Sequence, residues 1–167
     1  MAVVTRHADA TPSWLADALA QVVDRATRNV ADGGGPFAAR VLRDGEVIAE
    51  GVNRVTRDRD PTAHAEVVAI RAAAQTLGTH SLAGCHLVAS CEPCPLCLAA
   101  SMWARVDTVI YAADRHDAAA AGFDDRTFYE MFDRPRDTWD VTVRQQTMAD
   151  AQRPFAAWLA DTHRVAY

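Results

Sequence analysis

The sequence predicts an α/β protein organised around one layered sheet, and three observations carry that expectation. Helical and strand-like apolar periods alternate along the chain. An Asp44-Gly45 dipeptide separates two short apolar runs, and a strand, a helix and a strand follow one another between Cys85 and Ala112. The dipeptide implies two antiparallel strands, and the strand-helix-strand unit implies a parallel pair with a crossover.

The elements follow in order. Thr11-Pro12 is an N-cap and first-turn pair for a helix in which Leu15, Ala18, Leu19, Val22 and Ala26 recur at helical spacing. Asp32-Gly33-Gly34-Gly35 stops it near Ala31. Phe37 to Leu42 and Val47 to Glu50 are the hairpin strands, because Asp-Gly suits the positive φ angles of a tight turn. Val52 to Asp60 is polar and arginine-rich and reads as a loop. Pro61-Thr62 then precedes a helix on Val67, Ile70, Ala74 and Leu77, closed by Gly78, with His64 and Glu66 in its first turn. Cys85 to Ala89 reads as a strand, Pro95 to Ala104 as a helix and Thr108 to Ala112 as a strand. After an Ala- and Asp-rich segment, 112 to 125, come a short helix at Thr127 to Phe132, a strand at Val141 to Arg144 and a last helix at Pro154 to His163. No internal repeat or Pro/Ser-rich linker divides the pattern, so residues 1 to 167 are expected to form one domain.

Composition removes several function classes. Half of the 167 residues are apolar and 23% are charged, as in one globular domain with a full-sized core. The formal charge is -5 and all 17 basic residues are Arg, so the overall basic footprint of a nucleic-acid partner is missing. No run approaches the roughly 20 apolar residues of a membrane helix, and Met1 to Asp9 has no signal-peptide core. A soluble cytoplasmic protein is therefore expected. It fits four cysteines, Cys85, Cys91, Cys94 and Cys97, crowded into one short segment, which is a metal or catalytic pattern rather than a disulfide scaffold.

Two segments carry chemistry: Pro61-Thr62-Ala63-His64-Ala65-Glu66 and Cys91-Glu92-Pro93-Cys94-Pro95-Leu96-Cys97. Cys94 and Cys97, three apart on a helix's first turn, project towards a common point, and the helix N-terminus favours thiolates, the zinc-binding form. His64 is the third candidate ligand, which leaves a tetrahedral Zn2+ with a fourth position for water. Glu66, two residues on, can carry protons without occupying the metal, and the whole pattern is the H-x-E and P-C-x-x-C signature of zinc nucleobase deaminases. Zinc lowers the pKa of bound water from about 15.7 to about 7, roughly 12 kcal/mol of easier deprotonation. Plainer readings stand beside these. Cys85 reads as core filling, and Cys91 completes a C-x-x-C-x-x-C run that also suits an iron-sulfur cluster or a closed four-cysteine zinc. Glu66 alone would stabilise a helix dipole.

At these residues the chain resembles the cytidine deaminase superfamily and, within it, the bacterial guanine deaminases. The resemblance extends to Gly35-Pro36-Phe37, Asn53 with Val55-Thr56, Asp60 to Val67, Trp103-Ala104-Arg105, Ala121-Gly122-Phe123-Asp124-Asp125 and Tyr167. It implies a three-layer α/β/α sandwich with a five-stranded mixed sheet, a Zn2+ cofactor, and guanine plus water giving xanthine plus ammonia by attack at C2. It further implies that Asn53 hydrogen-bonds the base, that Phe37, Ala65 and Trp103 line the pocket, that Asp125 helps position and protonate the purine, and that Tyr167 closes the pocket. A homodimer is implied as well, with the segment at about 150 to 167 able to swap so that Tyr167 covers the partner's site. Leu96 stands where the family often has Met, and Ala38-Ala39 where Gly-Ala is common. Taken alone, Asn53 could organise its loop by an Asx turn, Phe37 and Trp103 could be core aromatics, and Asp125 could cap the helix near Thr127.

Three functions compete. A guanine deaminase accounts for the zinc motif together with Asp125 and Tyr167. A tRNA adenosine deaminase needs clustered cations, and only Arg54, Arg57 and Arg59 lie near the site. A non-catalytic zinc-stabilised scaffold leaves Glu66 without a purpose. Guanosine, aminopterins and amino-triazines share the amidine edge of guanine and remain alternative substrates.

Overall fold

The computed structural model describes residues 12–123 and 125–166. The chain divides into two compact units, residues 1–126 and 127–167. In the first, α1 (Leu15–Ala31) is followed by the hairpin of β1 (Ala38–Arg43) and β2 (Glu46–Val52), a short α2 (Val55–Asp58), and α3 (Ala65–Leu77). Then come β3 (His86–Cys91), α4 (Pro95–Trp103), β4 (Thr108–Ala113) and α5 (Arg115–Ala120). The sheet order is β2-β1-β3-β4, with β1 antiparallel to both neighbours and β3 parallel to β4 across the α4 crossover.

Side-chain alternation makes this a three-layer sandwich. Ala39 and Val41 of β1, with Leu87 and Ala89 of β3, face Ala65, Ala69, Ile70 and Ala73 of α3. The intervening Leu42 and Val88 face Ala18 and Val22 of α1, and Ala38 meets Ala26. α4 lies on the α3 side, where Val67 packs with Cys94 and Cys97. The hairpin turn has φ 53° at Asp44 and 82° at Gly45, as the dipeptide predicts.

One glycine sets how closely α3 approaches the sheet. A Cβ on Gly51 of β2 would lie 2.2 Å from the Ala65 carbonyl oxygen and 2.5 Å from the Ala69 nitrogen. The first turn of α3 therefore rests directly on the β2 backbone. At the other end Gly78, at φ 65°, stops the helix, with Thr79 N–H bonding Ala74 O and Gly78 N–H bonding Gln75 O.

Several sequence expectations are corrected. Among the described residues the sheet has four strands rather than five. Val141 to Arg144 alternates like a strand yet joins no ladder among the described residues, and Val141 and Val143 are exposed. Alternation records a preference for pleated backbone and says nothing about a partner to pair with. Within the expected loop 52 to 60 the chain makes α2, on Arg54–Asp58 pairing. The Ala-rich segment contains α5, started by a capping box in which Asp114 accepts from the His116 and Asp117 N–H groups. α1 begins after Trp14 rather than at Pro12, and Thr11 lies outside the described residues.

The second unit carries all but the first residue of α6 (Arg126–Phe132), a 3-10 turn at Arg136–Thr138 and α7 (Arg153–Ala160). Phe132 meets Trp139 edge-on at 5.4 Å, and the Trp139 indole N–H donates to Arg134 O. Phe128, Phe155, Trp158, Leu159 and Val165 are all exposed. No helix among the described residues is long and apolar enough to cross a membrane.

Candidate metal centre and active site

Two helix N-termini meet at the site. His64 is the N-cap residue of α3 and Cys94 that of α4; Glu66 and Cys97 lie within the following first turns. Pro95 at the first position of α4 fixes φ for helix entry and has no N–H to leave unpaired. Gly51 seats the α3 turn, while the end of β3 delivers the α4 turn beside it.

The donor atoms form a near-equilateral triangle. His64 Nδ1 is 3.5 Å from Cys94 Sγ and 3.5 Å from Cys97 Sγ, and the two sulfurs are 3.6 Å apart. A tetrahedral zinc with its usual sulfur and nitrogen bond lengths has ligand–ligand edges of roughly 3.5–3.8 Å, so the donor set and its spacing fit that ion. Among the described residues this is the cluster of His, Cys, Asp and Glu able to hold a metal. Cys91 lies outside it and donates its S–H to the Asp114 carbonyl at 3.5 Å, its thiol pushed up to about 11 by burial. Cys85 is fully buried among core residues. The four-cysteine and iron-sulfur readings therefore lose their fourth ligand.

The electrostatics favour a charged sulfur. The paired Cys97 side chain, assisted by His64, pulls Cys94 down to about 4, whereas the Cys94 sulfur beside it and burial push Cys97 up. The Cys94 sulfur beside it raises the His64 imidazole. Glu66 is only 7% exposed, and burial raises its carboxyl above the ordinary carboxylate range. The Cys97 thiol donates to Glu66 Oε2 at 3.4 Å, so this carboxyl abuts the ligand triangle. A buried carboxyl shifted towards neutrality is suited to taking and returning a proton.

The remaining sequence candidates fall in different places. Asp125 is close enough for its charge to raise both His64 and Cys91. Phe37 is half-buried and meets Phe123 edge-on, with centroids 4.9 Å apart at 84°. Ala65 is fully buried between the candidates His64 and Glu66. Asn53 Oδ1 accepts from Val55 N–H at 3.3 Å, which is the loop-organising contact, while Asn53 Nδ2 has no partner among the described residues. Trp103, at the far end of α4 from Cys97, is 63% exposed with the Arg105 guanidinium 5.8 Å above its ring. Tyr167 lies outside the described residues.

Sequence reasoning missed Asn29. Its Nδ2 donates to Gly35 O at 2.8 Å and to Asn53 O at 2.9 Å, and its Oδ1 is buried without a partner among the described residues. Asn53 N–H in turn bonds Phe37 O, so one buried amide braces the backbone of both pocket candidates. The signal was present: the buried stripe Ala18, Val22, Ala26 lands next on a polar residue.

Comparison with known proteins agrees with this geometry. Residues 12–113 match the cytidine and deoxycytidylate deaminase zinc-binding region. The guanine deaminase of Bacillus subtilis (strain 168) is 51% identical over 125 residues, 75% of this chain and 80% of that one. The X-ray structure of guanine deaminase from Bacillus subtilis matches with a TM-score of 0.88 at 46% identity, covering 91% of this chain and 98% of the other. That of guanine deaminase from Nitrosomonas europaea matches at 0.62 with 36% identity, over 70% and 75%. The matched region contains α1 to β4 with His64, Glu66, Cys94 and Cys97, and the chain belongs to the cytidine and deoxycytidylate deaminase zinc-binding family.

Proposed function

We propose that this protein is a zinc-dependent hydrolytic deaminase of guanine, forming xanthine and ammonia. The observation that carries the chemistry is the His64–Cys94–Cys97 triangle with the buried Glu66 carboxyl against it. The likeness to guanine deaminases over most of the chain supports the substrate. His64 Nδ1 and the Cys94 and Cys97 sulfurs would hold Zn2+. When bound, zinc supplies a Lewis acid that brings the pKa of water from about 15.7 to about 7.

The protein's own groups then handle the base and the protons. Glu66 accepts the proton of the attacking water and delivers it to the ring nitrogen next to C2, a role worth about 10²–10⁴ in rate. Glu66 then passes the remaining proton of the new C2 hydroxyl to the amine, which departs as ammonia, while Asp125 helps position and protonate the purine. Asn53 Nδ2 donates to an acceptor on the purine, and Phe37, Ala65 and Trp103 bound the pocket together with Tyr167. A small-molecule substrate also suits the arginine loop, because Arg54 and Arg57 both pair with Asp58, which offsets one of their two charges and lowers the positive potential a phosphate backbone would need.

Residues 1–167 serve in this reading as one catalytic domain of a cytoplasmic homodimer. The segment at about 150–167 is exchanged between copies. Exposed Phe155, Trp158, Leu159 and Val165 support an apolar partner surface there. The test is ammonia release from guanine, guanosine, adenine, cytosine, cytidine and an amino-triazine by wild type and Glu66→Gln. Turnover of guanine that the variant loses by about 10² or more while retaining one zinc per chain is expected. Turnover of another base, with none of guanine, refutes the substrate assignment; an active Glu66→Gln protein refutes the mechanism.

A further inference from the structure

We infer that Glu92 and Arg115 form a clamp that fastens the metal-ligand loop to the segment carrying Asp125, which makes both of them positioning residues for the deamination. The inference rests on the role given to Asp125 above. Glu92 lies between Cys91 and Pro93-Cys94, in the middle of the ligand motif, and its side chain is only 12% exposed. Arg115 is the first residue of α5. Its Nε donates to Glu92 Oε2 at 3.0 Å, its Nη2 donates to Glu92 Oε1, and its backbone N–H also donates to Oε2 at 3.0 Å. A carboxylate held by both arms of a guanidinium and by a backbone N–H is constrained in direction as well as distance.

The two strands of chain are joined at further points. Glu92 N–H donates to Ala113 O at 2.9 Å, and the Cys91 S–H donates to Asp114 O. Residues 91–92 and 113–115 are thus tied by side chains and backbone immediately before Cys94. On the α5 side the connection continues towards the site. α5 ends at Ala120, Phe123 N–H returns to Ala118 O, and the Phe123 ring, two residues before Asp125, stands edge-on to the pocket candidate Phe37. A six-residue helix does not persist by itself, so α5, and with it the approach to Asp125, depends on its attachments at Asp114 and Arg115, of which the Glu92 grip is the charged one. Motif matching treats Glu92 as filler between cysteines; the structure gives it a partner 23 residues away.

The test compares wild type, Glu92→Gln, Asp125→Asn and the double variant as zinc-loaded proteins. Amide hydrogen exchange is read along the whole chain and kcat and KM are read with guanine. Glu92→Gln is expected to retain one zinc per chain, to speed exchange between residues 115 and 123 while leaving α3 unchanged, and to lower kcat by about 10- to 100-fold, the scale of a misplacement of about 1 Å. In the Asp125→Asn background the same change is expected to lower kcat little further, because the group it positions has already gone. Unchanged exchange between residues 115 and 123 overturns the clamp. Faster exchange with fully multiplicative losses of kcat overturns its positioning role, since a merely structural bond would add to the loss of Asp125. Should wild type fail to turn over guanine, the substrate assignment falls, and the exchange difference still decides whether the clamp exists.

Discussion

Replacing Gly51 by Ala tests the close contact that seats the functional turn of α3. The added Cβ would lie 2.2 Å from Ala65 O, 2.5 Å from Ala69 N and 3.1 Å from Ala69 Cα, all atoms of a helix backbone that cannot rotate aside. A relaxed carbon–oxygen contact is about 3.3–3.6 Å, so α3 must retreat from β2 by roughly 1 Å. Overpacking of this kind costs about 1–3 kcal/mol, and at roughly 2–4 °C per kcal/mol for a chain of this size the melting temperature falls by about 2–12 °C. His64 and Glu66 flank Ala65 and move with it, which predicts a loss in kcat/KM of about 10². Gly78→Ala is the control. It strains a residue at φ 65° with nothing within 4 Å of the new Cβ, at the opposite end of the same helix. It should cost about 1 kcal/mol and leave kcat unchanged. Thermal melts, zinc content and guanine turnover of the two variants decide the matter. A Gly51→Ala protein with full zinc and kcat/KM within about twofold of wild type would falsify the reasoning.

Other outcomes follow from the same geometry. Asn29→Ala strips the donors from Gly35 O and Asn53 O and should cost about 2 kcal/mol in urea unfolding, with a raised KM for guanine; an unchanged KM shows that Asn53 is held by other contacts. Chelation of the metal should lower the melting temperature, and Cys97→Ser should reproduce the chelated value without responding to chelator, because binding to the folded state alone stabilises it. Equal melting temperatures with and without chelator would argue against a zinc site. The N–H groups of Asp117 and His116 hold the Asp114 carboxyl below its usual 3.8, so its capping of α5 is complete above that pH and is lost as pH falls through the lower folded value. A carbon-13 titration of this carboxyl should show a midpoint below 3.8; a midpoint at or above it contradicts the cap.

The parts legible in the sequence are those governed by local spacing. His64 and Glu66 are two apart and Cys94 and Cys97 three apart, so each pair shares a helix turn whatever surrounds it. The Asp44-Gly45 turn, the Gly78 stop and the β3-α4-β4 crossover are likewise local matters of backbone φ and apolar period. α5 escaped notice because its alanines carry no amphipathic period, and its start depends on Asp114 and Asp117 bonding back to the backbone. Val141 to Arg144 misled for the opposite reason, since its alternation is a strand preference with no ladder to join.

The sequence by itself determined the candidate ligand types, the carboxyl proposed as proton carrier and the layered α/β order, because these depend on residue chemistry and on intervals of a few positions. Only the tertiary structure decided that the two ligand turns meet at 3.5 Å, that Gly51 admits α3 so closely, that Asn29 braces Asn53, and that Glu92 grips Arg115. Each of those contacts joins residues from about 14 to more than 30 positions apart, and such pairs meet only when the burial of the whole core outweighs the entropy of closing the intervening loops.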